Sequence, residues 1–215
     1  MNDIFLLVLS AGASRRMGKV KALLPWGSKN LILHQLQIAL EINDKVGVVL
    51  GAHAKRVKET IHSLAVSYFI NPNWDEGMGN SLAFGTRAIL EMYPKTKGLL
   101  ILTVDQPLIN KTHLDKMLAA FKPQQKQIIV SESDQGWQGV PVLFDAYYFD
   151  ELQKLTGDQG AKSLTKKYHE NILPIYGGNL LIDIDTPEAY DALKRRVNPR
   201  SVSYTHLTLP TICSV

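Results

Sequence analysis

Residues 4–9, IFLLVL, form an unbroken apolar run that ends at a loop rich in glycine and arginine. A strand with no polar alternation has no face to give to water. It belongs in the interior of a parallel sheet covered by helices on both sides. Residues 46–50 and 98–104 read the same way, and segments with helical spacing at 31–42 and 53–64 lie between them, the first capped by Asn30. Strand alternating with helix gives βαβ units. The predicted fold class is α/β: a single-domain, Rossmann-like, mostly parallel sheet with helices on both faces.

The rest of the chain continues the pattern. A third strand is expected at 66–70, then a polar loop, NPNWDEGMGN, and a helix over 81–93. The strand at 98–104 ends directly in Asp105-Gln106-Pro107. A helix over 111–121, a strand at 127–131 and a hairpin strand at 136–144 follow. Short helices at 146–154 and 161–168 flank TGDQG. A strand is expected at 180–184, and Thr186-Pro187 opens the last helix as cap and first turn.

The chain has 215 residues, 45% apolar and 20% charged, enough for one well-buried domain, expected over 1–198. No apolar run approaches the ~18 residues of a membrane span, so no membrane association is expected. Asp3 and the lack of a basic leader argue against a secretory signal. A single cysteine excludes an internal disulfide framework and any multi-cysteine zinc site. A reducing, cytoplasmic compartment is the natural expectation. From Val202 the chain reads VSYTHLTLPTICSV, and VSYTHL is what one frame of a common transposase sequencing adapter encodes. Residues 199–215 are therefore expected to be a disordered, non-native tail, and His206 and Cys213 are assigned no role.

The formal net charge of +4 matters less than where the cations lie. Arg15, Arg16, Lys19 and Lys21 crowd into seven positions beside two glycines, with no aromatic residue interleaved. That favours a local anion site over a nucleic-acid groove. Small residues at Ser10, Ala11, Gly12 and Ala13 let a phosphate approach backbone N–H groups at a strand end. Arg16 and Lys21 can then neutralise its charge. Three rival motifs fail. Gly12 to Gly18 is one residue too long for a Walker loop, and no GxGxxG follows the first strand. Gly79-Asn80-Ser81-Leu82-Ala83 resembles a nucleophile elbow, but Ser81 follows a long polar loop rather than a strand and reads as a helix N-terminal residue. The histidines show no zinc spacing.

Asp105 ends a fully apolar strand, where an acid costs solvation unless it faces a cleft, a cation or a hydrogen-bond donor. It reads either as a Mg²⁺ ligand or as a turn former. Asp185, in DIDTPEAY, supplies a second carboxylate or merely precedes the capped helix.

Taken together, LSAGASRRMGKVKALLP resembles the signature loop LAAGxSxRMGxxKxLLP of the molybdopterin nucleotidyltransferase group, within the nucleotide-diphospho-sugar transferase-like fold. NPNWDEGMGNSLAFG, LLILTVDQPL, GVPVLF, GDQGAKSL and DIDTPEAY recur in order, so the likeness spans about residues 9–190. It is nearest to the molybdenum cofactor cytidylyltransferases. Ser10 in place of Ala and Ala189 in place of an acid are the departures. The resemblance implies transfer of CMP from CTP to Mo-molybdopterin, with release of pyrophosphate. It implies catalytic roles for Arg16, Lys21 and Asp105, with Mg²⁺ held by Asp105 and Asp185. The nucleotide would be embraced by Leu9, Ser10, Ala11, Gly12 and Lys21. Asn71, Gly77 and Ser81 would line the nucleoside or pterin side, with Leu143, Phe144 and TGDQG towards the pterin. Three alternatives stay open: a guanylyltransferase, a transferase for another phosphorylated small molecule, and a chaperone delivering cofactor to a molybdenum hydroxylase apoenzyme.

Overall fold

The computed structural model describes residues 3–197; the tail expected over 199–215, with His206 and Cys213, lies outside the described residues. Its frame is a seven-stranded sheet: β1 (Ile4–Ser10), β2 (Val46–Leu50), β3 (Ser67–Ile70), β4 (Gly98–Thr103), β5 (Ile128–Glu132), β6 (Gln138–Asp145) and β7 (Ile172–Tyr176). The spatial order is β3-β2-β1-β4-β6-β5-β7. β1 pairs in parallel with β2 (Val8↔Val48) and with β4 (Leu6↔Leu100), so it sits where the chain turns from building one side of the sheet to building the other. β6 is the antiparallel element, paired with both β4 and β5 as the hairpin expectation required.

The helices are α1 (Leu31–Leu40), α2 (Ala54–Ile61), α3 (Met78–Met92), α4 (Lys111–Ala120), α5 (Phe149–Leu152), α6 (Lys162–Lys167) and α7 (Pro187–Val197). Alternation along each strand divides the core in two. Leu6, Val8, Val48, Leu50, Leu100 and Leu102 face Leu36 of α1, Met117 of α4 and Leu193 of α7. Phe5, Leu7, Val49, Leu99 and Ile101 face Leu82 and Ile89 of α3 and Leu152 of α5. Asn30 and Asn110 cap α1 and α4, each accepting from the backbone N–H three residues on, at 3.1 and 3.0 Å. Thr186 does the same for Ala189 in α7 at 3.3 Å.

Two expectations need correction. Residues 180–184 are not a strand: Gly178–Leu181 is a 3-10 turn and the residues after it run extended outside the sheet. Leu181 and Ile184 are apolar because they pack into the core beneath α7, not because they pair. The strand that exists is β7, ILPIY, an edge strand parallel to β5. Its Pro174 lacks an N–H, which suits an edge and hid the strand in the sequence. In addition, α3 starts at Met78 rather than Ser81, so Ser81 lies inside its first turn.

Gly85 shows how close α3 lies to the sheet. A Cβ there would meet Val49 Cγ2 at 2.5 Å and Leu7 Cδ2 at 3.0 Å. Gly→Ala inside a helix ordinarily stabilises by up to ~1 kcal/mol. Here the sign reverses: Gly85→Ala is expected to lower the unfolding free energy by roughly 1–3 kcal/mol through overpacking, measurable by urea denaturation.

Candidate functional site

The loop after β1 is tied at its root to both neighbouring strands. Val104 N–H donates to the Leu9 carbonyl at 3.3 Å, and Ala52 N–H donates to the Ala11 carbonyl at 3.0 Å. Gly51 is required for that approach, since a Cβ there would sit 2.4 Å from the Ala11 oxygen and 2.5 Å from Trp74. Beyond the root the chain turns through Ser14 (φ 54) and Gly18 (φ 62), both left-handed, around a 3-10 turn at Arg15–Met17. Met17 is buried and anchors this turn, leaving Arg15 and Arg16 exposed. The Ser14 hydroxyl accepts from Lys21 N–H at 3.0 Å, closing the loop and fixing where the Lys21 side chain starts.

The acids arrive from two other elements. β4 ends in the Asp105-Gln106-Pro107 turn, which α1 clamps: Gln35 Nε2 donates to the Gln106 carbonyl at 2.5 Å, and His34 Nε2 lies 2.9 Å from the Pro107 carbonyl. Ile184 N–H donates to the Asp105 carbonyl at 2.8 Å. That single bond lays the extended segment before α7 across the end of β4. In extended backbone, residues two apart share a face, so Asp183 and Asp185 both come alongside Asp105. Lys21 Nζ bridges the pair, 3.3 Å from Asp105 and 2.9 Å from Asp185, and Arg16 lies 3.2 Å from the other Asp185 oxygen.

The cluster sets its own protonation. Asp183 keeps exposed surface, but partial desolvation of its carboxyl within the cleft pushes it up to about 6, and the neighbouring Asp105 and Asp185 charges push the same way. At Asp185 burial also acts upward, but the Lys21 and Arg16 cations outweigh it and hold the carboxyl below its ordinary range.

These groups line one cleft of about 710 Å³ at the carboxyl end of β1 and β4. Leu9, Ser10, Ala11, Gly12, Arg16, Lys21, Gly77, Ser81, Asp105 and Asp185 all border it. Asn71 does not. It is buried, donates to Asn80 Oδ1 at 3.0 Å and Ser81 Oγ at 3.1 Å, and accepts from Asn73 N–H at 3.0 Å. Its place is to fasten the end of β3 to the start of α3. Leu143 and Phe144 are fully buried on opposite faces of β6 and line nothing, which corrects the expectation of a pterin contact. TGDQG does reach the cleft, through Asp158. Gly79 N–H donates to the Gly157 carbonyl at 2.7 Å, and a Cβ on Gly77 would stand 2.5 Å from that carbonyl.

The sequence reading missed Asp183, Ser14, His53 and Trp74. Asp183 could have been found from the D-x-D spacing in DIDTP. Ser14, as the partner of a backbone seven residues on, left no signal.

A divalent cation suits the donor set. Among the described residues no group of three or more His, Cys, Asp or Glu is arranged for a metal. What is present is a carboxylate pair beside the Ser10–Lys21 loop, and one or two carboxylates with positions left to other oxygen donors are a donor set that suits a hard divalent cation. Lys21 already shows that the gap between the two acids accepts positive charge.

Comparison with known proteins decides the relationship. Residues 6–172 match the MobA-like NTP transferase domain. The chain belongs to that family. It is 30% identical over 205 residues to the purine catabolism protein PucB of Bacillus subtilis (strain 168), covering 88% of this chain and 95% of PucB. It is 32% identical over 164 residues to the nicotine blue oxidoreductase of Paenarthrobacter nicotinovorans, covering 73% and 78%. The crystal structure of Rv0371c from Mycobacterium tuberculosis H37Rv superposes with a TM-score of 0.78 at 25% identity, covering 90% of this chain and 98% of that one. A second structure of Rv0371c, a complex with manganese, gives a TM-score of 0.74 at 24% identity, with the same coverage. This MobA-like chain is a nucleotidyltransferase, as the resemblance implied. No helix among the described residues is long and apolar enough to cross a membrane.

The α1 clamp has a pH signature. Burial lowers the His34 pKa below its usual value; the Pro107 carbonyl opposes this and Lys29 adds to it. A base with a depressed folded pKa stabilises above its unfolded value, near 6.5, and that stability is lost as pH falls through the folded pKa. The thermal midpoint should therefore drop between pH 7.5 and 5. His34→Gln, which keeps a donor for Pro107 and cannot titrate, should show a shallower drop in a differential scanning series.

Proposed function

We propose that the protein transfers CMP from CTP to Mo-molybdopterin, yielding the cytosine dinucleotide cofactor and pyrophosphate. The observation that carries this reading is the convergence of the 9–21 loop with Asp105 and Asp185 in one cleft. In such a reaction the acceptor's terminal phosphate is the nucleophile. The protein therefore has only to position two anions and stabilise the charge between them, with no covalent intermediate. The backbone from Ser10 to Gly12 would cradle the triphosphate, and Arg16 and Lys21 would offset its charge. Asp105 and Asp185 would hold Mg²⁺, which when bound polarises the α-phosphate. The manganese in the Rv0371c complex supports a divalent ion in this fold. On the far wall, Gly77, Ser81 and Asp158 would border the acceptor or nucleoside. Delivery to a molybdenum hydroxylase apoenzyme is a second role that fits the name of PucB, which refers to purine catabolism. A cytoplasmic location follows if the cofactor pathway is soluble.

Pyrophosphate release, measured with each of four NTPs and with or without molybdopterin acceptors, tests the reaction. Asp105→Asn should abolish transfer while leaving any binding to an apoenzyme intact. Lys21→Ala should reduce kcat/KM by ~10²–10³, the usual worth of one electrostatic donor at a transferring phosphoryl group. Lys19→Ala and Arg15→Ala should matter far less, because neither side chain pairs with Asp105 or Asp185 as Lys21 and Arg16 do. Equal, mild losses at all four cations would contradict the ordered loop.

The base preference rests on Ala11. Guanylyl members of the group carry Gly at this place in the resemblance. Ala11 borders the cleft, and its methyl would take space that a purine needs. Overpacking costs ~1–3 kcal/mol, so CTP should be favoured over GTP roughly 10- to 100-fold. Ala11→Gly should narrow the gap by admitting GTP, read from competitive turnover. A wild-type preference for GTP would overturn the cytidylyl assignment.

A further inference from the structure

Three of the four oxygens on Asp105 and Asp185 already hold a cation of the chain itself. Lys21 Nζ takes Asp105 Oδ2 and Asp185 Oδ1, and Arg16 takes Asp185 Oδ2. The Lys21 side chain is only 12% exposed, against 73% for Arg16. Its ammonium is thus an internal ion between the carboxylates, whereas Arg16 closes the outer side. A divalent ion on the same oxygens would sit about 2 Å from them and within a few ångströms of Nζ. Two cations cannot share that space, because little water separates them and the repulsion is weakly screened.

We infer that Lys21 is a placeholder for the metal: it occupies the carboxylate pair in the nucleotide-free protein and gives way only when phosphate arrives to take its ammonium. This deepens the proposed function and rests on it. The loop is built for the exchange. Ser14 Oγ pins the Lys21 backbone at 3.0 Å, while the long, flexible side chain is free to turn towards the cleft that Ser10–Gly12 borders. Without the ammonium, Asp105 would lose its ion-pair partner and Asp185 would keep Arg16 alone, and the unbalanced negative charge would draw in a metal ion. With it, Lys21 and Arg16 balance the charges of Asp105 and Asp185, and a metal alone gains little. Metal binding and nucleotide binding are then coupled through one side chain, and the coupling is reciprocal.

The sign of the effect distinguishes this from an ordinary binding residue: removing Lys21 should strengthen binding of the metal alone. Mn²⁺ is titrated against the full-length protein without nucleotide, with free Mn²⁺ read by electron paramagnetic resonance, and again with CTP present. Lys21→Met should bind Mn²⁺ alone at least tenfold more tightly than wild type and lose most of the enhancement that CTP brings. Thermal melts should show Mn²⁺ alone raising the midpoint of Lys21→Met more than that of wild type. If Lys21→Met does not fold in metal-free buffer, the same titration is made on Lys21→Gln, which keeps a donor to one carboxylate. Equal or weaker Mn²⁺ binding by the neutral variant, with Asp105→Asn still abolishing the Mn²⁺–CTP complex, would overturn the placeholder and leave the metal site standing. Failure of wild type to bind Mn²⁺ even with CTP would overturn both.

Discussion

The position of β1 governs everything at the active end of the molecule. It hydrogen-bonds β2 on one side and β4 on the other, so the connections that leave its neighbours diverge to opposite sides. A crevice must open at the carboxyl end of such a strand, where the sheet changes direction of growth. The loop from Ser10 to Lys21 fills its rim. Because both neighbours are buried along their whole length, β1 has no freedom to slide: a one-residue slip would exchange Leu6 and Val8 for Phe5 and Leu7 between two differently shaped cores. Loop position is therefore inherited from core packing.

Charge is gathered in the crevice by three unrelated segments. The signature loop contributes Lys21 and Arg16, the end of β4 contributes Asp105, and the segment before α7 contributes Asp183 and Asp185. Each is held by backbone bonds rather than by the charges themselves: Ser14 to Lys21, Gln35 and His34 to the turn after Asp105, and Ile184 to Asp105. That division matters for catalysis. Side chains that are mutually attracted but independently anchored can exchange partners without moving the scaffold, which keeps reorganisation small when charge develops on a phosphoryl group.

Much of this was legible in the sequence, and the exceptions have physical causes. β1, β2 and β4 were readable because strands buried on both faces carry no polar residue before their last position to confuse the period. The loop was readable because small residues followed by cations have few other uses at a strand end. β7 was missed because an edge strand with half-exposed side chains and a proline looks like a loop, while residues 180–184 imitate a strand by packing into the core without pairing. Asn71 reads as a ligand residue from its loop, yet it is turned inward to hold α3. Leu143 and Phe144 follow the same lesson: in an antiparallel strand inserted between two others, adjacent apolar residues belong to opposite cores. Asp183 shares a D-x-D spacing with Asp185, but what brings both to Asp105 is one long-range backbone bond, from Ile184 N–H to the Asp105 carbonyl, which local sequence does not display.

The central claim is that Asp105 and Asp185 form one metal site facing the nucleotide phosphates. Its most direct test is anomalous diffraction from crystals grown with Mn²⁺ and a non-hydrolysable CTP analogue. A manganese peak between the two carboxylates, in contact with the α-phosphate and with the Lys21 ammonium moved onto the phosphates, is the expected result. A peak remote from both carboxylates, or a bound nucleotide with Lys21 still bridging Asp105 and Asp185, would contradict it.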